Sequence, residues 1–371
     1  MGVPLLDLKA QYRELKDELD AAIMDVMENA AFIGGPKVKA LEAAIAEYCG
    51  TGHAVACANG TDALFLIMAS LGIGKGDEVI TTPFTFWATV ECIVHVGATP
   101  VFVDIEPGTY NMDVAQVEAA ITPRTKAVLP VHIFGQVVDM DPLLEIAERH
   151  DLVVIEDACQ AIGATYKGKR AGSLAHAAAF SFFPSKNLGC AGDGGIITTD
   201  DAQLAARARK LAAHGTSKKY FHDAFGTNSR LDALQAAILL VKLPHLDRWN
   251  AERRAAAAVY DTALTSIHGL ELPVARTYGD AVYHLYIVKT ETADAASRVM
   301  AALSEAGIGT ALYYPLALHE QEAFDGLEGW VRPSLPVAES CDARTFALPC
   351  FPGITREQQD EVVSVVRAAL G

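Results

Sequence analysis

The chain has 371 residues, 51% of them hydrophobic and 20% charged, a soluble globular composition with room for a large α/β domain and a smaller companion. Its formal net charge of −16 excludes non-specific binding to nucleic acid or to an anionic membrane, since both need a basic surface. The seven cysteines are scattered without a C-x-x-C pair, so neither a disulfide framework nor a metal site is expected.

Leu8 to Asn29 is too crowded with charge for a secretory h-region, and no apolar run has the length of a membrane span. The cytoplasm is the expected compartment. That first segment reads as one amphipathic helix: Leu15, Leu19, Ile23 and Met27 recur at four-residue spacing, and Gly34-Gly35 stops the pattern. A second helix is expected over Pro36–Tyr48, with Pro at its start and Gly50 just past its end.

Short β-rich runs then alternate with helical ones. The expected strands are His53–Ala58, Glu78–Thr82, Pro100–Ile105, Ala127–His132, Leu152–Glu156, Ala177–Phe183 and Gly194–Thr199. The helices between them are Asp62–Leu71, Phe86–Val96, Val114–Ile121 and Pro142–His150, and Asp201–Ala213 follows. Strands that are apolar throughout and alternate with helices imply a doubly wound, mostly parallel sheet covered on both faces. After about Leu243 the rhythm changes to helix Asp247–Leu264, strand Leu285–Thr290, helix Ala293–Ala306, one more strand and helix Arg356–Leu370. The expected division is a large α/β domain over residues 1–243 and a small C-terminal α+β domain over 244–371.

Four segments carry chemistry. Leu152–Glu156 is a buried strand type that delivers Asp157 to the carboxyl edge of the sheet, where open α/β folds bind ligands; taken alone, the acid reads more readily as a helix cap or a surface acid. In Phe180-Ser-Phe-Phe-Pro-Ser-Lys186-Asn-Leu-Gly189 a single lysine stands among aromatic and small residues, with no other charge between Arg170 and Asp193. Such surroundings disfavour the ammonium form and suit an amine that attacks a carbonyl. Asn59-Gly60-Thr61-Asp62 follows a strand and opens a helix, so its free amides offer a phosphate site, and the same residues read equally as a plain helix cap by Asn59 or Thr61. Pro83-Phe84-Thr85-Phe86-Trp87 places aromatics where a flat heteroaromatic ring could stack. The isolated histidines lack metal-ligand spacing.

The order NGTDAL, PFTFWAT, VHIFGQ, IEDACQA, FSFFPSKNLG, GDGG and NSRLDALQAAIL resembles the pyridoxal-phosphate-dependent sugar aminotransferases of the DegT/StrS type, and the likeness runs nearly the whole chain. The resemblance implies an aspartate-aminotransferase-like fold (fold type I), pyridoxal 5′-phosphate as cofactor, and a homodimer with shared active sites. By position it implies Lys186 as the Schiff-base lysine, Asp157 at the pyridine nitrogen, Gln160 near the phenolic oxygen and Phe86 stacked on the ring. Gly60, Thr61 and Ser181 would hold the phosphate, joined by Asn228 of the neighbouring subunit. Arg230, Tyr314 and His319 would be substrate contacts, Arg230 meeting either a uronate carboxylate or the cofactor and partner residues. Within the family the likeness is to enzymes that aminate C3 of a UDP-2-acetamido-3-keto-hexuronic acid, with L-glutamate as donor, in surface polysaccharide synthesis. The alternatives are an aminotransferase acting on a dTDP-keto-6-deoxyhexose and a regulatory protein that binds the cofactor without turnover.

Overall fold

A computed structural model describes residues 2–327 and 330–371. The expected first helix is two, α1 (Leu8–Glu14) and α2 (Lys16–Glu28), because Leu15 leaves helical geometry at φ −108° and ψ 14°. Asp7 caps α1 through the amide of Ala10, and Leu15 and Leu19 are buried against Ile238 and Trp249. Met27, read as part of the apolar face, is 51% exposed, whereas Val26 is buried. Helix α3 (Gly35–Cys49) begins with Pro36 in its first turn and ends where Gly50 adopts a left-handed φ of 79°.

The large sheet has seven strands: β1 (His53–Cys57), β2 (Glu78–Thr81), β3 (Thr99–Phe102), β4 (Thr125–Val128), β5 (Val153–Asp157), β8 (Ala177–Ser181) and β9 (Gly195–Thr199). Between β5 and β8 lies a short hairpin, β6 (Thr165–Tyr166) and β7 (Lys169–Arg170). The sheet order is β1-β9-β8-β5-β4-β2-β3, parallel except for β9, which runs antiparallel to both neighbours. Helices α4 (Gly60–Leu71), α5 (Ala88–His95), α6 (Met140–Arg149) and α7 (Ala202–Ala212) complete the α/β alternation. Two buried apolar clusters contain side chains from the same strands, Val55 in one and Ala56 in the other, as a doubly wound sheet requires.

Val114–Ile121 is not a helix. It forms two single 3-10 turns, Val114–Gln116 and Glu118–Ala120. After α7 an exposed hairpin, β10 (Thr216–Lys218) and β11 (Phe221–His222), precedes α8 (Ala233–Lys242). Most of α8 is buried, so it lacks the polar face that would mark it as a helix in sequence.

A 3-10 turn, Leu243–His245, leads into α9 (Leu246–Leu264) and the second sheet. That sheet is antiparallel, ordered β12 (Leu270–Glu271), β13 (Tyr286–Thr290), β15 (Thr345–Leu348), β14 (Ala311–Leu312). With α9, α10 (Ala293–Glu305), the short α11 (Pro336–Glu339) and α12 (Arg356–Leu370) it makes a smaller layer. Its core joins Tyr260, Tyr286, Val299, Phe346 and Val362 to Val3 from the start of the chain, whose carbonyl accepts from the amide of Gly309 at 2.7 Å.

Candidate active site

A cavity of about 560 Å³ opens at the carboxyl edge of the large sheet and is closed on one side by Tyr313, Tyr314 and His284 of the smaller layer. At one end, β1 turns into α4. Asn59 caps that helix by accepting from the amide of Asp62 at 2.7 Å, which leaves the amides of Gly60 and Thr61 as donors at a positive dipole end. Gly60 is required there: a Cβ would stand 2.8 Å from both Cys159 Sγ and the Cβ of Ser181. Gly195 supports the same turn from β9, where a Cβ would fall 2.2 Å from the carbonyl oxygen of Asn59.

Asp157, the last residue of β5, is 5% exposed. One carboxylate oxygen accepts from Thr89 Oγ1 at 2.8 Å and the other from the amide of Cys159 at 3.2 Å. The backbone of Asp157 is pinned on both sides, its amide donating to Pro130 O and its carbonyl accepting from His132 N. Behind it the buried Glu156 accepts from three amides and from His132 Nε2 at 3.0 Å. The other imidazole nitrogen accepts from Val138 N, so Nε2 carries the proton and the histidine is neutral.

Lys186 lies in the turn after β8, fixed by its amide donating to Phe183 O at 2.8 Å. Burial pushes its amine below the usual lysine range, partly offset by Cys159 and Asp157 nearby. Among the described residues no arginine and no second lysine lines the cavity, while Asp62, Asp157 and Asp193 do.

Of the residues singled out by sequence, Gly60, Thr61, Phe86, Asp157, Gln160, Ser181, Lys186 and Tyr314 line this one cavity. Gln160 is oriented by accepting from Phe134 N at 2.7 Å, and Phe86 is 61% exposed at the rim. Three do not. His319 is fully buried, 6.1 Å from the Phe102 ring and 3.3 Å from Glu339 Oε1, and it is absent from the lining. Within the chain its ring packs between Phe102 and Glu339 and does not face the cavity. Asn228 and Arg230 are exposed on the chain's outer surface, Arg230 beside Gly34 and Val38. Sequence reasoning missed Thr85, Thr89, Phe183 and His284, all of which line the cavity. Thr85 and Thr89 stood in a quoted motif whose aromatics took the attention. His284 reaches the site from a distant segment, with Nδ1 3.3 Å from Asn187 Oδ1, and no local signal marks it.

These residues fit pyridoxal 5′-phosphate. The buried acid suits a pyridine nitrogen, the two amides a phosphate, and the desolvated lysine an aldehyde.

Comparisons agree with this chemistry. Residues 13–367 match the DegT/DnrJ/EryC1/StrS aminotransferase family. The chain is 50% identical over 366 residues to the pleiotropic regulatory protein of Geobacillus stearothermophilus, covering 99% of this chain and 98% of the relative. It is 46% identical to the dTDP-3-amino-3,4,6-trideoxy-alpha-D-glucose transaminase of Streptomyces venezuelae, covering 98% and 95%. Identity to the UDP-2-acetamido-2-deoxy-3-oxo-D-glucuronate aminotransferase of Pseudomonas aeruginosa is 44%, covering 94% and 95%. Among solved structures, S. venezuelae DesV superposes with a TM-score of 0.95 at 46% identity, covering 99% of this chain and 98% of that one. The ntda protein of Bacillus subtilis, with bound cofactor pmp, gives 0.89 at 33%, covering 99% and 83%.

Proposed function

This chain belongs to the DegT/DnrJ/EryC1/StrS aminotransferase family, and we propose that it moves an amino group from L-glutamate to the C3 keto group of a UDP-2-acetamido-3-keto-hexuronic acid. It is a sugar aminotransferase, and the family depends on pyridoxal phosphate. The observation that carries the reading is the meeting of Lys186, Asp157 and the open amides of Gly60 and Thr61 in one cavity. The product serves surface polysaccharide synthesis in this reading.

When bound, pyridoxal phosphate supplies an aldehyde and a ring that takes up the electrons left as the donor's α-proton departs. The work of the chain surrounds that chemistry. Asp157 favours the protonated ring nitrogen by offering it a negative partner. Lys186, once free, is an amine at the right place to move a proton between the substrate carbon and the cofactor carbon beside it, and burial keeps a larger share of it neutral. Phe86 would offer a ring face, Gln160 an amide toward the phenolic oxygen, and Ser181 a hydroxyl toward the phosphate. Phe183, Tyr313 and Tyr314 give the cavity an aromatic wall.

A homodimer with shared sites is part of the proposal. What supports it is the charge balance of the cavity, which has to take a phosphate, a donor dicarboxylate and a nucleotide with Lys186 as its one lysine or arginine among the described residues. Asn228 and Arg230 of a second copy would supply the missing donors, Arg230 to the uronate carboxylate. The Pseudomonas relative supports the uronate substrate. The Streptomyces relative supports a second reading, a dTDP-keto-deoxyhexose.

The test has two steps. L-Glutamate added to the yellow loaded protein should bleach its visible band. A panel of 3-keto and 4-keto UDP- and dTDP-sugars is then offered to the aminated protein, and recovery of the band by the UDP-3-keto-uronate is the expected outcome. A bleached protein that recovers with the dTDP-sugar alone supports the second reading. A protein that glutamate does not bleach, and that no keto sugar restores, contradicts the amino-transfer reading.

A further inference from the structure

Helix α5 carries two buried side chains that touch opposite ends of the cofactor cavity's frame. Thr89 Oγ1 is 2.8 Å from Asp157 Oδ2 and 3.1 Å from Thr85 Oγ1, and all three residues are at most 5% exposed. An ionised carboxylate has no proton to give, so Thr89 donates to Asp157 and Thr85 donates to Thr89. With the Cys159 amide on Oδ1, each carboxylate oxygen holds one donor, which fixes the plane of the group.

One turn along α5, Cys92 Sγ is 3.0 Å from the carbonyl oxygen of Thr61, in the first turn of α4. Burial pushes the Cys92 thiol above its ordinary range, so it keeps its proton and donates. The carbonyl side of the Asn59–Thr61 turn is thus held from behind while its amides face the cavity. Cys57 adds a second thiol contact, to Asn59 O at 3.3 Å.

We propose that Thr89 and Cys92 are paired positioning residues through which α5 sets the two cofactor anchors in one frame, Thr89 aiming the Asp157 carboxylate and Cys92 holding the Thr61 turn. The proposal rests on the pyridoxal-phosphate reading above. Because the two contacts serve different ends of the cofactor, they are separable by a ligand that lacks one end. The competing account is that both side chains are ordinary core groups whose loss loosens the fold without distinction.

The experiment measures the affinity of the full chain, freed of cofactor, for pyridoxal 5′-phosphate and for pyridoxal, which has no phosphate. Thr89→Val is expected to weaken both by a common factor of about ten, the size of a hydrogen bond lost from a charged group. Cys92→Ala is expected to weaken pyridoxal 5′-phosphate by about threefold to fivefold, as for a weak neutral hydrogen bond, and to leave pyridoxal unchanged. Thr89→Ser and Cys92→Ser keep a donor and are expected to restore the unmodified affinities. Thr89→Ala takes the place of Thr89→Val should the latter not fold. Equal losses for both ligands in Cys92→Ala, unaltered affinities in either variant, or serine variants no better than the apolar ones would each overturn the proposal. An unmodified chain that binds neither ligand overturns the cofactor reading itself and the proposal with it.

Discussion

A lysine amine attacks a carbonyl only while neutral, and a carboxylate supports a protonated pyridine only while charged. Burial drives Lys186 toward its neutral form, and Asp157 accepts hydrogen bonds from Thr89 Oγ1 and the amide of Cys159. Lys186→Ala is therefore expected to lower amino transfer by about 10⁴-fold or more while circular dichroism and the melting temperature stay close to those of the unmodified chain. Gly60→Ala tests the phosphate turn. Its Cβ would stand 2.8 Å from Cys159 Sγ and from Ser181 Cβ, so overpacking should cost about 1–3 kcal/mol of stability and weaken cofactor binding. Unchanged denaturation and unchanged affinity would show that the turn has slack. Lys186 stood out in sequence as an isolated charge among apolar residues and Asp157 as an acid ending an apolar strand, and both line the cavity. Thr89 did not stand out, since a threonine beside aromatics in an α/β turn looks like any N-terminal helix residue. His319 is the opposite case: motif position suggested a substrate contact, whereas within the chain its ring packs 6.1 Å from that of Phe102.

Elements were legible where one periodicity dominated. The apolar strands and the Arg356–Leu370 helix lie where alternation and caps put them, the latter closed by a Thr355–Gln358 capping box. The break at Leu15 was hidden, since the four-residue apolar spacing runs straight through it. Within α9, Arg253 is buried and donates through Nη1 to the carbonyls of Tyr283, His284 and Cys350, tying that helix to both central strands of the second sheet. Arg253→Ala strands two buried carbonyls and a half-buried one, and a loss of about 3 kcal/mol is expected in urea denaturation. The segment that carries Tyr313 and Tyr314 is fastened by Asp342, whose carboxylate accepts from Ala317 N at 2.7 Å. Burial, and then Glu320, push Asp342 up to about 8. Its folded value lies above the ordinary carboxylate value, so the folded chain holds a proton that the unfolded chain releases. The stability from this group is complete below about pH 4 and is lost progressively as pH rises to about 8. Asp342→Asn keeps the acceptor without the titration, and the melting temperature should fall less between pH 5 and 8, a range set by that raised value, than in the unmodified chain. Identical pH slopes in the two proteins would contradict this.

At the scale of the whole molecule, the sequence made the order of strands and helices visible and left their direction obscure. Nothing local marks β9 as antiparallel, and two-residue strands such as β12 and β14 are too short to carry a pattern. The change of rhythm near Leu243 suggested a division, but the packing of Val3 into the second core has no local signal, since that contact spans most of the chain. The proposed sharing of sites between two copies has its own test. Lys186→Ala and Asn228→Ala each damage one half of every site in a homodimer, whereas a mixed dimer contains one site with both residues intact. Dissociating and remixing the two inactive variants should restore about a quarter of the unmodified activity, half of the dimers being mixed with one good site in two. Absence of recovery in verified mixed dimers would mean that Asn228 serves its own chain or none.

The most direct measurement concerns the bond on which the catalytic reading turns. Holoprotein is treated with borohydride, digested and mapped by mass spectrometry. The expected result is a pyridoxyl group on the peptide containing Lys186 and on no other lysine. An unmodified Lys186 peptide from protein that still carries bound cofactor would contradict the assignment of this cavity as the seat of amino transfer.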